Sequence, residues 1–395
     1  MAYIHTNYHT LTSRLKEPRH FIQVLMGPRQ VGKTTVVKQV VKDINIPYSL
    51  FSADNTPTND STWISTVWST ARSIMKGRGY KDYILVIDEI QKIANWSEAV
   101  KKEWDYDTWN DIELKVILLG SSRVMLEKGL SESLAGRYEE IRMSHWRYNE
   151  MKDAFGMSLN EYIYYGGYPG AAGLIKDPDR WTAYISSSIV DAPINKDILN
   201  ATIITKPALL RQVFELGASY SSQELSLTKM LGQLNDAGNT TTVANYLKIL
   251  SDSGMLCALQ KYSNDQARKR ASAPKFQVYN NALHSLYAFN TLEELALLPK
   301  QWGRHFESAI GAHLASFAFT ERYNLYYWRD NNMEVDYILQ KNGKLIAIEV
   351  KSNNESHTAG LDAFNQRFHP QSTIIVGQSG MSAEDFLSIS PSQLF

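Results

Sequence analysis

A single cysteine, Cys257, is the whole thiol content of this 395-residue chain. That rules out an intramolecular disulfide framework and is compatible with a reducing compartment. Set in the apolar run GMLCAL, it reads as a small buried hydrophobe. Charge excess is absent too: Lys plus Arg and Asp plus Glu both number 41. No overall field draws the chain to nucleic acid, so any such contact must come from a local patch. No stretch approaches the ~18 to 20 apolar residues of a membrane span. The opening MAYIHTNYHT lacks the apolar core of a secretory signal. A cytoplasmic protein without membrane association is the expectation. Internal repeats and low-complexity segments are lacking as well. The length, at roughly 100 to 200 residues per domain, suggests about two to four domains.

The most informative stretch is FIQVLMGPRQVGKTTVVKQVV, residues 21 to 41. It reads as a buried strand, a loop with the spacing G-x-x-x-x-G-K-T, and a helix opening at Lys33. A strand before and a helix after are what turn that spacing into a phosphate cradle. In such a loop the backbone N–H groups and the helix N-terminus face the anion, Lys33 reaches the terminal phosphates and Thr34 offers a hydroxyl to Mg²⁺. The nucleotide-binding set is therefore Gly27, Pro28, Arg29, Gln30, Val31, Gly32, Lys33, Thr34 and Thr35.

Residues 1 to 150 alternate apolar strand-like runs with helical segments, the pattern of a parallel sheet covered on both faces. The run YILVIDE (83–89) delivers Asp88 and Glu89 to the carboxyl end of the sheet, where ligands of open parallel sheets bind. Asp88 is expected to hold Mg²⁺ with Thr34, and Glu89 to orient and deprotonate the attacking water. At the tip of LKVILLGSS (114–122), Ser121 would place a polar group near the γ-phosphate, or merely cap a turn. Arg137, ahead of the edge strand YEEIRM (138–143), and Arg123 are the candidate arginine fingers, in cis or across a subunit interface; a solvated arginine competes evenly.

Taken together, GPRQVGKTT, ILVIDEIQK, LLGSS, SLAGR and the later YGGYPG resemble a prokaryotic AAA-type ATPase family with an uncharacterised C-terminal region. The resemblance implies ATP hydrolysis on an AAA-like core with ATP and Mg²⁺. It departs at MSHWRYNE (143–150), where the exit from the domain differs from the family's pattern.

Beyond the first domain, residues 151 to 206 are helical and aromatic and read as a lid or linker. Residues 207 to 288 show two short helical stretches, a polar turn, a longer helix (TTVANYLKILSDSGML) and two strand-like runs, the layout of a winged helix. Its expected wing carries Arg268, Lys269 and Arg270, flanked by Lys261 and Lys275, a basic tip suited to DNA phosphates; a solvated loop or a protein-binding wing is the alternative.

Residues 289 to 395 hold a second constellation. A helix carries Glu307, and the runs MEVDYILQ and LIAIEVKS form a hairpin bearing Asp336, Glu349 and Lys351. Glu349 and Lys351 are two apart and share a face, while Glu334 is expected to face away. Two carboxylates and a lysine at a hairpin suit Mg²⁺-dependent phosphodiester cleavage, with Asp336 and Glu349 as metal ligands. This arrangement resembles the restriction-endonuclease-like PD-(D/E)XK fold, whose preceding helix commonly carries another acid, matched by Glu307. The competing account is that the fold survives without the activity.

The α/β chain is thus expected to combine a P-loop AAA-like ATPase domain, a helical lid, a winged helix and a nuclease-like domain. ATP would gate DNA engagement or cleavage. The rival is an ATP-dependent switch or scaffold that binds a protein partner, or a further copy of itself, and cuts nothing.

Overall fold

The computed structural model describes every residue except 1–2, 61, 121–129, 131–132, 199–203, 205, 236–237, 266–271, 289 and 353–358, together with the side chains of 196 and 197. The chain divides into two compact units, Met1–Met143 and Ser144–Phe395.

The first unit is built on five parallel strands: β1 (Ile22–Met26), β2 (Tyr48–Ser52), β3 (Tyr83–Asp88), β4 (Leu114–Gly120) and β5 (Tyr138–Arg142), in the order β2-β3-β4-β1-β5. Strands β1 and β4 are buried throughout and β3 up to Ile87 because both their faces are covered, as parallel sheets require; Gln23 and Lys115 are the polar interruptions. The helices of this unit are α1 (Thr6–Lys16), α2 (Lys33–Asp43), α3 (Trp63–Arg78) and α4 (Trp96–Trp109). Val36, Val37, Val40 and Val41 recur at helical spacing on α2 and pack on Leu25, Ile84, Ile117 and Leu119 of the sheet, with Leu11 and Leu15 of α1 beside them. Burial of each such side chain contributes roughly 1.5–3 kcal/mol, and five strand ends are thereby held level at the carboxyl edge.

In the second unit, helices Pro207–Ser219, Leu227–Leu231 and Thr240–Asp252 precede an antiparallel pair, β6 (Leu256–Leu259) and β7 (Lys275–Val278). The long helix Pro299–Glu321 leads to β8 (Asn324–Asp330), β9 (Met333–Lys341), β10 (Lys344–Lys351) and, after the helix Ala359–Phe368, β11 (Ser372–Gly377). These form a sheet of order β11-β10-β9-β8, antiparallel except where β11 runs parallel to β10. Phe364 of the helix Ala359–Phe368 packs against Trp328, Ile338 and Ala347 on one face of the sheet.

The division lies at Met143/Ser144, ahead of the expected boundary at 150, and positions 206 and 288 are both inside the second unit. The β6–β7 pair is wired into the C-terminal part rather than standing apart from it. The Gln277 side chain donates to the Ser308 carbonyl at 3.0 Å, and the Tyr337 hydroxyl donates to Gln277 Oε1 at 3.0 Å.

Candidate functional site

The loop between β1 and α2 is built around two glycines. Gly32, the residue before α2, has φ of 89°, in the left-handed region that glycine adopts without steric cost. Gly27 is required by proximity, since a Cβ there would lie 2.3 Å from the Met143 carbonyl oxygen. The Met143 amide in turn donates to the Met26 carbonyl at 2.8 Å, so the exit of β5 lies directly on the loop.

Lys33 is buried, and its ammonium donates to the carbonyls of Gly27 at 2.9 Å and Pro28 at 2.6 Å. The Thr34 hydroxyl donates to Asp88 Oδ2 at 2.9 Å, joining the start of α2 to the end of β3. Because β4 lies between β1 and β3, and Gly120 is level with Met26, the end of β4 abuts the same loop. Ser121 and Arg123 lie outside the described residues. Burial pushes the Asp88 carboxyl up from its ordinary range, against the pull of its Thr34 hydrogen bond. Glu89 occupies a left-handed backbone position, φ 53°, and accepts from the Gln91 side chain at 2.6 Å. Gln91 was not singled out from the sequence, although the run DEIQK places it three residues beyond Asp88.

Among these residues, Thr34 Oγ1 and Asp88 Oδ2 are hard oxygen donors set side by side, the donor type that Mg²⁺ prefers. They fit a metal held at the phosphate loop, where it would neutralise phosphate charge.

Arg137 sits elsewhere. Parallel pairing matches Ile22 with Tyr138 and Met26 with Arg142, and the Arg137 carbonyl accepts from the Ile22 amide at 2.9 Å. Arg137 therefore lies at the end of the sheet opposite the loop, about 17 Å away at roughly 3.3 Å per strand residue. Its guanidinium is held by both oxygens of Asp105, at 2.7 and 3.0 Å. The cis half of the arginine-finger expectation is corrected by this register. Arg142, which sequence reasoning passed over, is the β5 arginine level with the loop, and its side chain pairs with Glu140.

The C-terminal constellation is assembled differently from expectation in three respects. The pairing of Ile348 with Tyr337 carries Glu349 beside Asp336, whose Oδ2 accepts the Val350 amide at 2.8 Å. Lys351 pairs with Glu349 at 3.0 Å. Lys275, however, is not a wing residue available to DNA: it is 5% exposed, with its ammonium 2.5 Å from Glu307 and 3.5 Å from Asp336. Nor does Glu334 face away. Positions two apart on a strand share a face, and its charge bears on both Glu307 and Glu349. Burial, then the charge of Asp336, pushes Glu307 up to about 8 and Glu349 up to about 7. Finally, among the described residues no group of three or more His, Cys, Asp or Glu side chains is gathered as a metal site.

Of the remaining expected DNA contacts, Lys261 is half-buried and its backbone bridges to Tyr327, while Arg268, Lys269 and Arg270 lie outside the described residues. Among the described residues, no helix is long and apolar enough to cross a membrane.

This loop, its hydroxyl–carboxylate bridge and the five-stranded parallel sheet lie within residues 19–152, the stretch that the AAA domain family model matches. Two families described only as domains of unknown function, DUF8612 and DUF4143, match residues 156–293 and 302–390. The chain is 24% identical to an uncharacterized protein of Methanocaldococcus jannaschii over 87% of its own length and 78% of that protein's. It is 26% identical to an uncharacterized protein of Mycobacterium tuberculosis, over 86% of this chain and 72% of the other. Among solved structures, the Thermotoga maritima RuvB Holliday junction branch migration motor matches at 14% identity and a TM-score of 0.35, covering 65% of this chain and 90% of that one. That likeness is too slight to carry over anything said of the motor.

Proposed function

We propose that the chain binds and hydrolyses ATP with Mg²⁺ in its first unit and uses nucleotide state to switch what the second unit engages. The observation that carries the reading is the Thr34–Asp88 hydrogen bond beside Lys33, because it unites the loop and the carboxylate strand that hydrolysis needs. Lys33 holds the terminal phosphates, Asp88 and Thr34 hold the metal, and Glu89 orients water. Ser121 polarises the γ-phosphate, and Arg137 serves another copy of the chain. Phosphate release from ATP tests this: Lys33→Ala should lose nucleotide binding, and Glu89→Gln should bind ATP without turnover. Unchanged hydrolysis in both variants would overturn it.

For the second unit, three helices followed by the β6–β7 pair favour a winged helix, and Arg268, Lys269 and Arg270 would give it salt-dependent contact with DNA. The acid–hairpin–E-x-K pattern favours a PD-(D/E)XK-like domain. By residue type Asp336, Glu349 and Lys351 suit Mg²⁺-dependent cleavage, with Glu307 assisting. The buried ammonium of Lys275 against Glu307 and Asp336 favours engagement without cleavage. Plasmid incubated with Mg²⁺ or Mn²⁺ should stay intact in wild type and in Lys351→Ala alike; nicking that Lys351→Ala abolishes would restore the cleavage reading.

A further inference from the structure

Three carboxylates and two lysines meet where β7, the helix Pro299–Glu321 and the β9–β10 hairpin come together. Four of the five side chains come from the C-terminal hundred residues. The fifth, Lys275, arrives from β7, far back in the chain, and takes the central position. Its ammonium is 2.5 Å from Glu307 Oε1 and 3.5 Å from Asp336 Oδ1, and it donates to the Asp336 carbonyl at 3.3 Å. Nζ also stands 4.6 Å from the centre of the Tyr337 ring. Glu349, 3% exposed, gives Oε1 to Lys351, while its buried Oε2 has no hydrogen-bond partner although Asp336 lies against the same group.

Desolvated carboxylates need a cation among them. Lysine and a divalent ion answer the same need with the same oxygens, one at hydrogen-bonding distance and the other at the 2.0–2.6 Å of metal–oxygen bonds. We propose that the Lys275 ammonium occupies the position in which Glu307, Asp336 and Glu349 would otherwise hold a divalent cation. The seated β6–β7 pair and metal at this group are then mutually exclusive. Two further details support a built arrangement. Lys275 is fixed at both ends, since its own strand is tied by Gln277 to the Ser308 carbonyl and to the Tyr337 hydroxyl, whose single proton is shared between Gln277 Oε1 and the Glu307 carbonyl, each at 3.0 Å. Glu349 Oε2 is a buried acceptor that the lysine leaves unused, as a metal-ligand oxygen would be. The inference goes beyond the functional reading of this unit: it names the cation, and it holds whether or not nucleic acid is cut.

The test is a Mn²⁺ titration of the full-length chain, read by the electron paramagnetic resonance signal of free Mn²⁺, with cleavage left out of the assay. Glu349→Gln in each background separates this group from the Thr34–Asp88 site. Wild type should show no Mn²⁺ that Glu349→Gln removes. Lys275→Met, which keeps the length and loses the charge, should gain one bound Mn²⁺ that wild type lacks, and Lys275→Met with Glu349→Gln should lose it. Lys275→Gln serves where Lys275→Met fails to give the wild-type circular dichroism spectrum. A wild-type Mn²⁺ sensitive to Glu349→Gln, or a folded Lys275 variant that gains none, overturns the proposal.

Discussion

The Thr34 hydroxyl donates to Asp88 Oδ2 across 2.9 Å, and so ties the first turn of α2 to the last residue of β3. A metal ion held here by Thr34 and Asp88 would draw its affinity from the pair. Thr34→Ala should therefore leave binding of metal-free nucleotide nearly unchanged and abolish the tightening that Mg²⁺ brings. Titration of a fluorescent ADP analogue with and without Mg²⁺ reads the difference; equal tightening in wild type and variant would contradict it.

Gly27→Ala should destabilise the first unit, because the new methyl group meets the Met143 carbonyl rather than a side chain that can swing away. Overpacking of this kind costs typically 1–3 kcal/mol. Gly77→Ala is the matched control: it lies in α3 with nothing within 4 Å of the added Cβ, and should stabilise by roughly 0.5–1 kcal/mol. Urea unfolding of both variants should shift in opposite directions.

Arg137→Ala should not alter turnover at dilutions where the chain is a monomer, since the side chain lies at the wrong end of the sheet to reach its own loop. The half-exposed pair with Asp105 is lost, worth about 0–1 kcal/mol, together with a hydrogen bond to the Ala135 carbonyl. Initial rates of phosphate release at low protein concentration decide this, and a fall there would mean that the arginine acts in cis.

Buried histidines, His284, His305 and His313, set an acid limit on stability. Burial pulls His284 down to about 4, with Arg304 adding to the effect, and pulls His313 down to about 3, with Arg147 adding. A depressed histidine contributes fully above its ordinary value of 6.5, and the contribution is lost as pH falls from there, because the unfolded chain takes up the proton first. Glu307 and Glu349 act with opposite sign. Their raised values give a contribution complete below the ordinary 4.5 and lost as pH rises through about 7 to 8. Thermal unfolding against pH should therefore peak on the acid side of neutrality. His313→Phe, set beside Phe317 and Phe386, should flatten the acid limb by about 1.4 kcal/mol per pH unit; an unchanged slope would exclude His313 from it.

How far the sequence discloses this structure depends on whether a feature is local. The G-x-x-x-x-G-K-T loop, the acidic end of β3 and the β9–β10 hairpin are each written within one short continuous stretch, and their elements form where the pattern places them. Arg137 shows where that stops. Its distance from the loop is set by the parallel register of β1 and β5, and no spacing along the chain encodes register between strands so far apart. Lys275 is a second case. A lysine next to a basic run reads as surface, and only the carboxylates of distant elements make its burial tolerable. The face of Glu334 was legible, since strand period alone puts it with Asp336. Gln277 gave a faint signal, a polar residue alternating with Lys275 in an otherwise apolar strand.

Met143 is both the residue that backs the phosphate loop and the last residue of the first unit. At Gly27 the loop therefore leaves no room for a side chain against the departing backbone. Any side chain larger than glycine's at position 27 would press first on the backbone by which the chain leaves the first unit.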